Sequence, residues 1–255
     1  MSTRTPYVAG NWKMNLDRRG AVDLAAAVRE HVGGRADVEV ALFPPAVYLS
    51  DVAATVDGSP VRAGSQDCCD RASGAFTGEV SAAMVRDVGG ATTLVGHSER
   101  RHVYGETDAL VNAKVHMALA EGLAVVVCVG ETLEERQAGR TEDVCRRQLA
   151  AALEGLGEAD FGRLTVAYEP VWAIGTGHTA TPDQAQAVHA YLRGLLGGLA
   201  QETAAERVRI LYGGSVKPDN AREILAMPDV DGALVGGASL RTDTFLPIVD
   251  GGSPS

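Results

Sequence analysis

The chain has 255 residues but only four cysteines, no long apolar run and no surplus of positive charge. Each shortage removes a class of function. Cys68 and Cys69 are adjacent, and Cys128 and Cys145 stand alone, which suits neither an ordinary disulfide nor C-x-x-C redox chemistry. There is no Asn-x-Ser/Thr acceptor, and residues 1–10 lack the apolar core of a secretory signal, so a reducing cytoplasm is the expected setting. No stretch is apolar and long enough to cross a bilayer. The 33 acidic residues outnumber the 23 basic ones and leave a net charge of −10, which disfavours nucleic acid and anionic membrane as partners. A phosphorylated ligand therefore needs a locally positive field. No H-E-x-x-H or other metal-ligand spacing occurs, so no metal is expected. No linker, low-complexity tract or charge block divides the chain. A single domain over residues 1–255 is expected, loose only at Met1–Thr5 and Gly251–Ser255.

What is present is alternation. Short apolar runs predict strands at Tyr7–Asn11, Val38–Phe43, Val61–Ser65, Thr93–Val95, Ala124–Val129, Leu164–Tyr168, Val208–Tyr212 and Gly232–Val235. Amphipathic stretches between them predict helices at Arg18–His31, Val47–Val56, Ala82–Val88, Ala109–Glu121, Thr141–Leu156, Pro182–Leu199, Asp219–Ala226 and Ser239–Ile248. Thr181-Pro182-Asp183 supplies an N-cap with proline at the first helical position. Eight strand–helix units predict an α/β fold, a (β/α)8 barrel of eight parallel strands ringed by helices. The rival is an open doubly wound sheet. It would favour G-x-G-x-x-G after the first strand, where this chain has Ala9-Gly10-Asn11-Trp12-Lys13.

Barrel enzymes place their chemistry in the loops after the C-terminal ends of their strands. Read there, the chain offers Asn11 and Lys13 after strand one, His97 after strand four, and Glu169 after strand six. Gly213-Gly214-Ser215 follows strand seven and Gly236-Gly237 follows strand eight. A carboxylate at a strand end, followed at once by the glycine-containing segment Pro170–Gly177, can be a base shielded from water under a flap. Each residue also has a plain reading. Glu169 can be a surface carboxylate, His97 a cap on the short helix that Ser98 opens, Lys13 a solvated charge, Asn11 a turn residue, and the glycine pairs mere turns. The other histidines (His31, His102, His116, His178 and His189) read as solvated or packed. Cys128, in an apolar strand, reads as an inert thiol.

Seven segments together carry a resemblance. They are Ala9-Gly10-Asn11-Trp12-Lys13-Met14-Asn15, Gly74-Ala75-Phe76-Thr77-Gly78-Glu79, Val95-Gly96-His97-Ser98-Glu99-Arg100-Arg101, Cys128-Val129-Gly130-Glu131, Tyr168-Glu169-Pro170-Val171-Trp172-Ala173-Ile174-Gly175-Thr176-Gly177, Tyr212-Gly213-Gly214-Ser215-Val216 and Leu234-Val235-Gly236-Gly237-Ala238-Ser239. In order and along the whole chain, these resemble the triosephosphate isomerase family, whose fold is the TIM barrel. The resemblance implies a cofactor-independent aldose–ketose isomerase acting on a small phosphorylated triose in glycolysis and gluconeogenesis. It implies Glu169 as catalytic base, His97 as neutral electrophile, and Lys13 and Asn11 as partners of the substrate oxygens. It further implies that Gly175, Ser215, Gly236 and Gly237 hold phosphate, with Ser98, Glu99 and Cys128 in support. Gln66, Arg100 and Glu131 also match supporting positions. The flap would hinge at Pro170-Val171-Trp172 and at His178-Thr179-Ala180. The loop bearing Phe76 and Thr77 would enter a second copy of the chain, forming a homodimer in which Thr77 steadies the partner's Asn11 and His97.

Two positions depart from the family's habit: His178 where lysine is common, and Asp67 where asparagine is common. Asp67 is expected to alter hydrogen bonding at the subunit interface. Two rival functions remain at this point. One is isomerisation of a four-carbon ketose phosphate, which needs the same base and cradle. The other is a non-catalytic phosphate-binding barrel, against which the presence of Glu169, His97 and Lys13 counts. A Schiff-base aldolase would want lysine at the core strand end where this chain has Glu169.

Overall fold

In a computed structural model, which describes residues 4–175, 179–200 and 205–252, eight parallel strands close on themselves. They are β1 (Tyr7–Asn11), β2 (Glu39–Phe43), β3 (Val61–Ser65), β4 (Thr92–Val95), β5 (Ala124–Val129), β6 (Leu164–Tyr168), β7 (Arg209–Tyr212) and β8 (Gly232–Val235). Each pairs with the next in sequence, and β8 returns to β1 with Tyr7 opposite Gly232. Side chains alternate across a strand, so each strand serves two cores. One set (Tyr7, Ala9, Ala41, Phe43, Leu94, Val126, Cys128, Ala167, Leu211 and Leu234) forms its own cluster inside the barrel. The other set, including Val8, Val40, Val127, Val166 and Ile210, packs outward with Val28, Val52, Val115, Leu149, Leu192 and Phe245 of the surrounding helices. Burial on both faces explains why β5 reads as a continuous valine-rich run rather than an alternating one. At the seam, Gly232 has φ 148°, and a Cβ there would lie 1.9 Å from the carbonyl oxygen of Tyr7. Only glycine lets β8 close against β1.

The predicted strands agree with these to within a residue at each end. Among the described residues, the main helices are α1 (Arg18–Val32), α2 (Leu49–Val56), α3 (Ala82–Asp87), α4 (Ser98–Val103), α5 (Asp108–Ala120), α6 (Leu133–Gln137), α7 (Thr141–Leu153), α8 (Pro182–Leu199), α9 (Ala221–Leu225) and α10 (Thr242–Gly251). Caps set their starts: the Asp17 carboxylate accepts from Gly20 N at 2.7 Å, and Thr181 and Gln184 form a capping box ahead of Pro182. The single helices expected at Val47–Val56 and Ser239–Ile248 each divide. A 3-10 turn at Ala46–Tyr48 precedes α2, and one at Gly237–Leu240 precedes α10. Leu133–Gln137 and the 3-10 segment Glu158–Arg163 were not foreseen, because five or six residues are too few to show a helical period.

One histidine belongs wholly to the core. His189 of α8 is fully buried, edge-on to the Tyr168 ring at 5.9 Å between centroids, with Nδ1 3.2 Å from the Asp229 carbonyl oxygen. Its Nε2 has no partner. Burial pushes its pKa from 6.5 down to about 4, against the pull of the Asp229 carbonyl. In the unfolded chain the ring takes its proton near pH 6.5, whereas the folded chain resists until about pH 4. Stability is therefore lost as pH falls through that window, by roughly 3 kcal/mol at its lower end. Urea unfolding between pH 7.5 and 4 should show a steeper acid loss for the parent chain than for His189→Gln. Parallel profiles would remove His189 as the cause.

Candidate active site

The C-terminal strand ends surround a cavity of about 670 Å³. Asn11, Lys13, His97, Glu169, Gly175, Ser215, Gly236 and Gly237 all line it. Ser98 and Glu99 touch these residues from α4. Cys128 lies beneath in the barrel interior, where burial and then the Glu169 charge push its thiol pKa well up, so the thiol stays protonated. Phe76 and Thr77 are exposed on the β3–α3 loop and do not join this cavity.

Glu169 is one residue past β6 and 2 % exposed. Its Oε1 lies 2.8 Å from His97 Nε2, and its Oε2 accepts from Ser98 N at 2.8 Å. Burial by itself would raise the carboxyl's pKa. The facing His97, the Ser98 N–H and the Lys13 charge together outweigh burial and hold it below the ordinary value. Burial alone would lower the His97 pKa, but the facing Glu169 carboxylate outweighs it and holds the ring above its ordinary value in the empty chain. The backbone decides which nitrogen carries the proton. His97 caps α4, and the Glu99 N–H points into Nδ1 at 3.2 Å. Nδ1 is therefore an acceptor, and the Nε2 proton points at Glu169. The N-terminal pole of α4 also disfavours a second proton on the ring.

Lys13 has φ 51°, a left-handed conformation that costs a non-glycine residue about 1–3 kcal/mol. It is held from two sides. Asn11 Oδ1 accepts the Lys13 N–H at 3.0 Å, and Gln66 Nε2 donates to the Lys13 carbonyl at 2.8 Å and to that of Phe43 at 2.9 Å. With Oδ1 so engaged, the Asn11 amide keeps its N–H donors for other partners, and the residue lines the cavity. Lys13 Nζ pairs with Glu99 Oε1 at 2.6 Å.

On the far wall, Gly236 caps the 3-10 turn Gly237–Leu240, and a Cβ on Gly236 would lie 3.5 Å from Lys13 Cε. Ser215 sits in an irregular loop, since α9 begins only at Ala221 rather than at the expected Asp219. Gly175 opens onto the cavity with φ 69°. The rest of the flap, Thr176, Gly177 and the expected hinge residue His178, lies outside the described residues. The other expected hinge, Pro170-Val171-Trp172, is held by side chains of neighbouring elements. Fully buried Glu131 accepts from both Tyr168 OH at 3.1 Å and Trp172 Nε1 at 2.9 Å, and Arg136 stacks 4.5 Å over the Trp172 ring.

The family model described as triosephosphate isomerase matches residues 6–251. The chain belongs to the triosephosphate isomerase family. It is 53 % identical over 247 residues to the triosephosphate isomerase of Rhodopirellula baltica, covering 97 % of both chains. To that of Delftia acidovorans it is also 53 % identical, over 95 % of this chain and 96 % of the relative. To that of Roseiflexus castenholzii it is 49 % identical, over 98 % and 99 %.

Against the family's habit of asparagine, Asp67 finds its partners within the chain. It accepts from Lys114 Nζ at 2.8 and 2.7 Å and pairs with Arg100 Nε at 2.8 Å. Glu106 joins the same two cations, so two carboxylates balance two cations. Cys68 and Cys69 beside it are both buried.

Gly130 is the position that sequence reasoning undervalued. It stood in a quoted motif but received no role. A Cβ there would lie 1.8 Å from the Glu169 carbonyl oxygen, so its bareness allows β5 and the Glu169 backbone to meet. Gly130→Ala should displace Glu169 and lower isomerase turnover by about 10²-fold while the far-ultraviolet circular dichroism stays unchanged. Undiminished turnover would show that the backbone yields elsewhere.

Proposed function

We propose that the protein interconverts dihydroxyacetone phosphate and D-glyceraldehyde 3-phosphate through an enediolate, without a cofactor, in glycolysis and gluconeogenesis. The observation that carries this reading is a buried carboxylate 2.8 Å from a histidine Nε2, in a cavity that also holds a lysine and a glycine-bordered rim. Glu169 takes the proton from C1 of the ketose and returns it to C2. His97 Nε2–H donates to the substrate oxygens, while Lys13 and the Asn11 amide stabilise the negative charge that develops on them. Ser215, Gly236, Gly237 and Gly175 surround the phosphate. The flap excludes water, which strengthens each of these interactions and protects the enediolate from expelling phosphate. Substrate entry parts Glu169 from His97 and from the Ser98 N–H. Residues 1–255 act as one barrel domain, and the cytoplasm is the setting that a buried, unpaired cysteine set suits.

The working unit is a homodimer. Met14, Val47, Phe76, Met84, Val103 and Tyr104, from the loops and helices that follow β1 to β4, are all exposed apolar side chains. A run of this kind favours burial against a second copy. Phe76 and Thr77 would then reach the neighbour's Asn11 and His97.

A coupled assay in both directions should find Glu169→Gln slower by at least about 10²–10⁴ in kcat. Equal turnover would eliminate the mechanism, and faster turnover of a four-carbon ketose phosphate would reassign the substrate. For the dimer, Phe76→Glu should shift sedimentation toward the monomer and lower specific activity at least about tenfold at nanomolar protein, where the parent remains dimeric. A parent chain that sediments as a fully active monomer would overturn this assembly.

A further inference from the structure

At the opposite end of the barrel, the N-terminal ends of the strands border a second cavity of about 710 Å³. Its charged lining consists of Arg4, Arg62, Arg207 and Arg209 facing Glu39 and Glu206. The lining carries four guanidinium groups and two carboxylates, and Arg4 is also paired with buried Asp231, so one guanidinium group is in excess at this opening within a chain whose net charge is −10. Part of the cluster is structural. Glu39, the first residue of β2, pairs with Arg62 of β3 at 2.8 Å and also with Arg209, the first residue of β7. Arg209 also covers the Tyr7 ring at 4.7 Å, and Arg4 Nε pairs with Asp231 at 2.7 Å. These contacts close the lower mouth of the barrel.

That structural role does not account for the whole arrangement. One carboxylate, Glu39, serves two guanidinium groups. Arg207 is exposed at the rim and has no ion pair or hydrogen bond among the described residues. Arg209 is paired with Glu39, and burial holds its pKa below its ordinary value in spite of Tyr7 and Asp231. Several planar, always-charged forks around one opening match oxyanions, which accept two parallel N–H bonds from each fork. The opening, about 710 Å³, is far larger than a single chloride needs.

We propose that this lower cavity binds a small multivalent oxyanion, a polyphosphate or a polycarboxylate, at a site separate from the substrate cavity. Arg207 and Arg62 grip it from the rim, while Arg209 supplies charge from the floor. The ligand lies at the other end of the strands from Glu169, so it adds stability to the folded chain without competing for substrate. This inference stands apart from the isomerase reading, since none of its residues touches the upper cavity.

Isothermal titration of the full chain with inorganic pyrophosphate and, separately, with citrate tests it, with sodium chloride at matched ionic strength as control. Saturable binding of at least one anion, weakened about tenfold or more by Arg207→Gln, is the expected result. Pyrophosphate alone would name a phosphate ligand, and citrate alone a carboxylate one. Arg207→Gln should keep the parent's circular dichroism, kcat and KM, since Arg207 is exposed and remote from the catalytic end. No saturable binding above the chloride control would overturn the proposal. So would an affinity that Arg207→Gln leaves unchanged, because that anion would be bound elsewhere.

Discussion

The contact between Glu169 and His97 is the constraint around which the catalytic end of the barrel is organised. A carboxylate that is 2 % exposed has lost nearly all its water, and removing an ion from water costs several kcal/mol unless other groups replace that hydration. Here three groups do so: the His97 ring, the Ser98 N–H and the nearby Lys13 charge. In the empty chain they win, and the carboxyl sits below its ordinary pKa. A carboxylate so well satisfied is a poor base. A substrate that separates Glu169 from His97 and Ser98 removes two of the three compensating groups, while burial, which raises the pKa, remains. In the proposed reaction, Glu169 thus becomes a stronger base as a carbon-bound proton comes within reach. The balance depends on geometry, and this explains why Gly130 must be bare and why Glu131 ties Tyr168 and Trp172 down directly beside Glu169.

The tautomer of His97 follows from the same backbone. The Glu99 N–H occupies Nδ1, so the single proton of a neutral ring sits on Nε2 and faces the cavity. A doubly protonated ring would have to turn Nδ1–H against that N–H and against the positive pole of α4. Neutrality matters for the proposed chemistry. In the empty chain Glu169 raises the His97 pKa; in the proposed reaction substrate entry parts the two, which removes that pull and leaves a neutral donor that can polarise a substrate oxygen.

Much of this was legible in the sequence, and for definite reasons. The eight strands announced themselves because each is short, apolar and followed by a helical period. The strand ends then placed Asn11, Lys13, His97, Glu169, Ser215 and Gly236 on one rim without any knowledge of distances. What the residues alone left open were roles. His97 as cap and His97 as electrophile are not alternatives, because its Nδ1 caps α4 while Nε2 faces Glu169. Lys13 reads as the cation for a substrate anion, with a solvated surface charge as the plain alternative, but a left-handed φ at lysine leaves no trace in residue type. It shows only through the Asn11 and Gln66 bonds that hold it. The bonding of Asp67 within its own chain also leaves no sign in the sequence. Its partners are Lys114 and Arg100 of the same chain, which lie 47 and 33 positions away and meet it only once the barrel has closed.

A chain with a net charge of −10 must build positive potential locally if it is to hold an anion, and the two ends of this barrel do so by different means. At the C-terminal end the cations are Lys13, partly neutralised by Glu99, and Lys217 on the rim, and glycines let backbone N–H groups approach the ligand. That arrangement suits a site that must bind and release repeatedly, because dipoles hold an anion without the depth of a full ion pair. The N-terminal end instead gathers guanidinium groups around Glu39, where the polar layer also caps the hydrophobic interior formed by Ala9, Ala41, Ala167 and Leu211. Full charges there serve closure of the barrel, and they need no mobility. The division follows from the architecture. Parallel strands send all their C-terminal loops to one face, which is free to vary and move. The opposite face receives the strand starts, where a fixed layer of charge can be held in register by the sheet itself.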